Sequence, residues 1–452
     1  RHIQQFNNFN NGLSKLMKVV SGEEGYSLAI NAAIPDWFFE GDAVYNETVL
    51  TKQGRGKLPL FLNAYPSLWQ AGKKYSWMKL RNGSLKDYVP NHYNLGYLLV
   101  NYGREKYGDD FWTKVTRDAS AYKGLFYPFQ TAIKKYAGVD YKTFREQAFE
   151  FYKKQTERMA QVRDEYVLPV KKSYVSNYYF PYSAGADSLI YLKTSYRHRR
   201  AFYIKDAKGE HRLKTRDIAI DEQFSYRNGK IVYSAYESDA RWGWKDYSVI
   251  KLLDVQTGKQ QTLTHKTKYF TPDISEDGSL VAAVQFDENG KSELHILNTN
   301  GGTVLNKIHS PEINLFTDPK FLDDKTIISA VRLKDGRMYL AKSILPTGET
   351  SQLTSPSFNV IGYPCISNGI VYYTASYADN DDVFALRMSN GKIYKISDGP
   401  LGNYNVNVAG GKITWSSFTA EGYQLKQMDE KDVKWVEISK AVATTLAVKF
   451  QT

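Results

Sequence analysis

Cysteine is nearly absent. Cys365 is the one cysteine in 452 residues, which excludes an internal disulfide and any cysteine-cluster metal site within the chain. Long apolar runs are missing too. No stretch approaches the roughly 18 apolar residues that a membrane-crossing helix needs, and no signal peptide is visible. The net charge is +12, yet there is no block of about five or six basic residues of the kind that marks a nucleic-acid arm. The densest run, Tyr196-Arg197-His198-Arg199-Arg200, is flanked by apolar, strand-like residues and reads as a hairpin tip, so no nucleic-acid partner is expected. The basic balance suits an anionic membrane surface or acidic substrates equally well. No G-x-S-x-G, phosphate loop or dinucleotide fingerprint occurs. Asp379-Asn380-Asp381-Asp382 lacks the glycine and the distal glutamate of a calcium loop and reads as a solvated loop.

What is present is enough apolar material for real cores. The chain is 42% hydrophobic and 14% aromatic, and its length suggests two or more domains. Its 35 tyrosines suit strands and half-wet surfaces better than a helical bundle.

Residues 1 to about 160 read as helical. Phe6, Phe9, Leu13, Leu16, Met17 and Val20 recur at spacings of three and four, and Gly22 to Gly25 breaks the pattern. Ile34 to Leu50 forms a second helix. Pro35 and Asp36 start it, and Trp37, Ala43, Val44 and Leu50 keep helical spacing. Gly41 costs about 1 kcal/mol against alanine in such a position. A gap beside Glu40, for a metal or a close-packed helix, would explain it. Asn91 to Tyr102, Phe126 to Tyr136 and Tyr141 to Tyr152 repeat the helical design, with Gly108 and Gly138 as stops.

Beyond about residue 175 helical signals nearly vanish and a repeat appears. A polar turn precedes a short apolar strand, and a second strand ends in a Thr-Gly or Asn-Gly turn. The apolar strands start at Ser188, Lys230, Ser279, Thr326, Ile370 and Lys412, roughly 40 to 50 residues apart. That is the period of a four-stranded propeller blade. Six copies suggest six blades, with five plus an irregular strand pair as the other count.

Two family resemblances rest on these residues. Thr271-Pro272-Asp273-Ile274-Ser275-Glu276-Asp277-Gly278 and the strand after it resemble the blade motif of TolB-like propellers. Trp37-x-x-Glu40-Gly41-x-Ala43-x-Tyr45-x-Glu47 resembles the second signature of the gluzincin metallopeptidases, where the Glu is the third ligand of a catalytic zinc. In relatives whose first signature reads H-E-x-R-H-x-x-Q, Arg1 and His2 match its last two motif positions and Gln5 the trailing Gln. The first His and the catalytic Glu then belong four and three residues before His2.

The resemblance implies a multidomain chain. An all-α remnant of a gluzincin peptidase domain spans 1–165, and an all-β six-bladed propeller spans 175–445. It implies Zn2+ as cofactor, with His2 and Glu40 as ligands. Glu47 would support the zinc helix by second-layer hydrogen bonds. His92 and Tyr93 are the candidates to stabilise the oxyanion. The implied reaction is metal-assisted hydrolysis of a peptide or protein substrate, with the propeller gating or recruiting it or binding a protein partner. Such propellers usually work outside the cytoplasm, so an exported, periplasmic or envelope protein is expected. The alternative is a peptidase-like binding protein without activity, whose function lies on the propeller face.

Overall fold

A computed structural model describes residues 1–156 and 165–444, and within them two compact units. The first runs to the end of the long helix at Thr156, apart from Leu85–Asp87, which cluster with the second.

The helical unit contains α1 (His2–Asn8), α2 (Gly12–Ala33), α3 (Asp36–Leu50), α4 (Pro59–Leu62), α5 (Ala64–Gln70), α6 (Trp77–Asn82), α7 (His92–Tyr107), α8 (Phe111–Ser120), α9 (Pro128–Ala137) and α10 (Tyr141–Thr156). The single helix expected from the Phe6-to-Val20 stripe is corrected. The chain breaks between α1 and α2, and α2 continues through Gly22, which takes φ 66° and kinks it. Leu16 and Val20 of the expected apolar stripe stand exposed. The face that packs is later in the helix, at Tyr26, Ala29, Ile30 and Ala33. The three short helices between 59 and 82 carry no clear apolar period, so the sequence did not announce them.

The core of this unit is aromatic. Trp37 meets Trp112 and Phe129 edge-on, with centroids 6.0 and 5.6 Å away, and its indole donates to the Tyr141 hydroxyl at 3.2 Å. Phe111, Trp112 and Phe144 are wholly buried. Such rings prefer tilted contacts because of their quadrupoles, and they contribute about 0.5–1.5 kcal/mol per pair beyond area burial.

The second unit is a six-bladed β-propeller, in six antiparallel sheets. The first strands of the sheets are Ser176–Gly185, Phe224–Arg227, Tyr269–Ile274, Ile313–Asp323, Ile361–Ser367 and Asn403–Ala409. Each touches the first strand of the next sheet, and the sixth touches the first, so these strands surround an axis. The apolar strands found in the sequence are all second strands, not first ones. They are mostly apolar on both faces because blades stack against each face. The first strands were less visible because they carry polar residues toward the axis. Blades one to four have four strands each. Blade six has three, and Val436–Ile438 returns to the outer edge of blade five as a fifth strand.

No strand is exchanged between blades one and six among the described residues. Side chains close most of their seam, and ahead of blade one the Val167 N–H donates to the Leu425 carbonyl of blade six at 2.9 Å. Asn177 Oδ1 accepts from the Tyr423 N–H at 3.1 Å, Gln424 Nε2 donates to the Ser176 carbonyl at 3.0 Å, and Ser416 Oγ donates to the Tyr178 carbonyl at 2.9 Å.

Asp381 and Asp382 are not in a solvated loop, which corrects the sequence reading. Both are buried. Asp381 accepts from the hydroxyls of Ser376 and Tyr404, and Asp382 pairs with Lys395 at 2.9 Å. Burial pushes the Asp382 carboxyl up to about 6, against the opposing pull of Lys395.

Candidate metal centre and axial pocket

The helix α3 places Glu40, and its framing residues explain the signature physically. Pro35 and Asp36 open the helix, with Pro35 in an extended conformation before the first turn. Trp37 anchors one side in the aromatic core. Gly41 lets α7 approach: a Cβ built on Gly41 would lie 2.1 Å from the Gly96 carbonyl carbon. The close-packed neighbour is therefore what Gly41 serves.

Asp42 lies two residues past Glu40, almost fully buried. Its carboxylate accepts from Arg1 Nε at 2.7 Å, Gln5 Nε2 at 2.7 Å and Arg104 at 3.4 Å. Gln5 Nε2 also donates to the Phe39 carbonyl at 3.1 Å. These contacts tie α1 onto α3. The sequence reading matched Gln5 to a motif but missed Asp42 and Arg104. A buried carboxylate two residues from Glu40 gives no periodic signal.

The bonds of Gln5 have a chemical consequence. Both acceptors of its Nε2 are oxygens, so its Oε1 is the atom that faces His2 Nδ1, at 2.9 Å. An amide oxygen only accepts, so His2 Nδ1 carries the proton. In the neutral ring Nε2 is then a lone pair, and it faces Glu40 Oε2 at 3.5 Å. Two acceptors turned toward each other repel unless the ring is protonated or a cation lies between them. Two ligand atoms of one tetrahedral zinc, with bonds of about 2.0–2.1 Å, stand roughly 3.3 Å apart. The pair fits one metal ion as two of its ligands. No group of three or more His, Cys, Asp or Glu placed for a metal occurs among the described residues, so the described donor set is two.

His2, Glu40 and His92 line one cleft of about 480 Å3, together with Asp36, Arg81 and Asn82. His92 opens α7, whose first turn is capped by Asn91 Oδ1 accepting from the Tyr93 and Asn94 N–H groups at 3.0 and 3.2 Å. Tyr93 is not part of the cleft wall. Its ring lies under the Arg55 guanidinium, 4.8 Å from the centroid. Glu47 also engages Arg55, accepting from Nε at 2.7 Å and from the second guanidinium nitrogen at 2.9 Å. That fork, offset partly by burial, holds the Glu47 carboxyl below its usual range. Glu47 thus braces the turn after α3, and the second-layer bonds to α1 come from Asp42.

The propeller has its own candidate site. In five of its six first strands a residue in the left-handed region precedes a bulge: Phe180, Thr271, Asp318, Tyr363 and Asn405, with φ between 47° and 54°. Four of the five stand before proline, at Pro181, Pro272, Pro319 and Pro364. The bulge re-aims the residue two places on. Those residues, with the matching one from blade two, are Tyr182, Ser225, Asp273, Lys320, Cys365 and Asn407. They recur 42 to 48 positions apart and all line one axial pocket of about 460 Å3. The repeated X-Pro pairs were the signal in the sequence that could have found this ring.

The ring is wired together. Lys320 Nζ donates to Asp273 Oδ1 at 2.9 Å and to the Tyr182 hydroxyl at 3.0 Å. Asp273 also accepts from Ser225 Oγ at 2.5 Å and the Phe321 N–H at 2.9 Å. Burial works against the Lys320 charge, but Asp273 and Tyr182 outweigh it and raise its pKa. Burial also pushes the Cys365 thiol up, so it is a poor nucleophile at neutral pH. Gln223 Oε1, buried in the pocket wall, has no hydrogen-bond partner among the described residues.

The fold thus defines a six-bladed β-propeller protein with an N-terminal helical unit. No family model matches the chain, and no curated protein matches it. Similar solved structures include the β-propeller domain of the Trilobed protease from Pyrococcus furiosus, at 13% identity and TM-score 0.40, covering 57% of this chain and 96% of that one. A putative TolB from Agrobacterium tumefaciens is 18% identical with TM-score 0.36, covering 45% and 79%. The Pyrococcus horikoshii acylaminoacyl peptidase is 13% identical with TM-score 0.39, covering 59% of this chain. The chain spans 53% of that peptidase's length. The propeller assignment rests on the six sheets themselves.

Proposed function

We propose that the helical unit is the metal-binding part of a zinc-dependent peptide hydrolase, with the propeller binding the substrate or a partner protein. The observation that carries this reading is the pair His2 Nε2 and Glu40 Oε2, 3.5 Å apart, with the His2 tautomer set by Gln5. His2 and Glu40 would hold the zinc. The gluzincin likeness would require a further His ligand and a Glu as general base, four and three positions before His2. Zinc in such a site polarises the scissile carbonyl and lowers the pKa of bound water. Around it, Gln5, held by Asp42, would orient the imidazole, and from the same cleft His92 would donate to a developing oxyanion and Arg81 would meet a substrate carboxylate. The axial pocket of the propeller, polar and walled by paired charges, would take an extended peptide segment. An extracytoplasmic location accompanies this reading.

The second reading is a binding protein without peptidase activity. The axial pocket favours it, since the polar ring of Asp273, Lys320 and Tyr182 could hold a ligand with no metal. The deciding experiment is zinc analysis of the purified protein, followed by peptide cleavage assays. One zinc per chain, lost in Glu40→Gln, with chelator-sensitive cleavage, supports the hydrolase. Absence of both zinc and cleavage leaves the binder.

A further inference from the structure

The turn joining the second and third strands of blade two, Asp239–Lys245, presents two tryptophans. Trp242 is 63% exposed and Trp244 101%. The turn is not loose. Asp239 Oδ1 accepts from the Arg241 and Trp242 N–H groups at 2.8 and 3.0 Å, and Oδ2 accepts from the Tyr247 hydroxyl at 3.0 Å. Backbone bonds from Lys245 to the Trp242 carbonyl, 2.9 Å, and from Asp239 to the Lys245 carbonyl, 3.1 Å, close it. The two indoles are held out in water on a fixed platform, although soluble surfaces seldom keep large apolar groups together without a use.

More apolar surface stands beside them. Ile218 and Ile220 are 70% and 67% exposed. The Tyr236 N–H donates to the Ile218 carbonyl at 2.8 Å, which sets these isoleucines along the strand that feeds the turn. Basic residues surround this surface. Arg241 and Lys245 belong to the same turn, and Arg197 and Arg199 to the equivalent turn of blade one. Lys266 and Lys268 lie in the connection to blade three, and all six are exposed. Antiparallel alternation puts these turns and connections at one end of the propeller. The carboxylates nearby are largely engaged: Asp217 with Lys251 at 2.6 Å, Asp221 with Arg216 at 3.1 Å, Glu222 with Arg200 at 3.0 Å and Glu237 with His265 at 2.7 Å. The axial pocket reaches toward the opposite end, where Arg227, Asn228 and Glu276 stand at the turns between first and second strands.

We propose that this end of blades one and two docks the protein on an anionic lipid bilayer. Trp242 and Trp244 sit at headgroup depth, and the six basic side chains face lipid phosphates. Indoles favour that boundary because one part of the ring is apolar and the N–H finds a polar partner. Lys and Arg gain from the negative surface potential and lose that gain with salt. The convex shape also fits a fluid surface, since two rings projecting from a turn tip need no preformed groove. The net charge of +12 has the required sign.

Co-sedimentation of the whole protein with vesicles tests this, using phosphatidylcholine alone and mixed with phosphatidylserine. Wild type is expected to bind the mixed vesicles, with a blue shift of tryptophan fluorescence, and to release in high salt. Trp242→Ser with Trp244→Ser should weaken binding at least tenfold, and Trp242→Phe with Trp244→Phe should retain most of it. Arg241→Ser with Lys245→Ser should lose roughly thirtyfold on the mixed vesicles, from the usual gain per basic residue at such a surface. All these sites are exposed, so the melting temperature should not change. Wild type that stays unbound on both lipids, or a double serine variant that binds as wild type does, overturns the proposal and assigns the tryptophans to a protein or glycan partner.

Discussion

Gly41 and Gly96 face each other where α3 crosses α7, closely enough that neither can carry a side chain. A Cβ on Gly96 would lie 1.9 Å from the Trp37 carbonyl oxygen, and one on Gly41 2.1 Å from the carbonyl carbon of Gly96. The obstacle in each case is backbone, which cannot rotate away. Glu40 therefore owes its position to a contact made by the residue after it.

Gly41→Ala is expected to destabilise the helical unit although alanine is the better helix former. The gain in propensity is about 1 kcal/mol. Overpacking costs about 1–3 kcal/mol and lies at or above the upper end where backbone must move. Urea unfolding followed by circular dichroism measures the balance. A variant as stable as wild type would show that the two helices separate freely.

Asp42→Ala should loosen α1 selectively. It removes an acceptor shared by Arg1, Gln5 and Arg104. Charged hydrogen bonds of this kind are worth about 1.5–3 kcal/mol. Amide exchange of residues 2–8 should accelerate while that of α7 to α10 stays slow. In the hydrolase reading, zinc affinity falls as well, because Gln5 no longer fixes the His2 ring. Unchanged exchange in α1 would refute the tethering role.

Lys320→Met leaves the Asp273 carboxylate buried without its cation, at a cost of about 3–5 kcal/mol. Adding Asp273→Asn should recover part of that, giving a double-mutant cycle with clear coupling. Additive losses would mean that the two side chains do not act as a pair.

Asp318 makes the propeller sensitive to pH. Its carboxyl is pushed up to about 6 by burial, with the Tyr363 N–H and Lys320 pulling the other way. An ordinary aspartate titrates near 3.9. Between about pH 4 and pH 6 the native state then holds a proton that the unfolded chain has released. Stability from this group is greatest below about pH 4 and falls as pH rises to about 6, by on the order of 2–3 kcal/mol. Asp318→Asn should remove that fall and be relatively more stable at pH 7 than at pH 4. Unfolding curves at both values decide it, and parallel curves for the two proteins would exclude the effect.

The blade repeat was legible because second strands such as Ile231–Tyr233 and Val281–Val284 are buried on both faces and read as unbroken apolar runs. The turn glycines confirmed the period independently. The helices α3, α7, α9 and α10 were legible by spacing and caps. The beginning of α2 was misread because Leu13, Leu16 and Val20 have helical spacing whether or not anything covers them. At the candidate metal centre, His2, Gln5 and Glu40 were accessible through a motif likeness. Asp42 was not, because its role depends on α1 folding back onto α3, a contact between residues about forty positions apart. The axial ring was spread over six blades at one residue each, so no local window contained it.

The side-chain seam between the first and last blades has a consequence for how the molecule comes into being. Each of the first four blades is one unbroken piece of chain, and none of them borrows a strand from another. These blades can therefore be completed in the order in which they are synthesised, with ring closure as the last step. The same seam makes the ring tolerant of new chain ends. A cut between two of these four blades should leave every sheet intact, because none of their strand pairings crosses such a boundary.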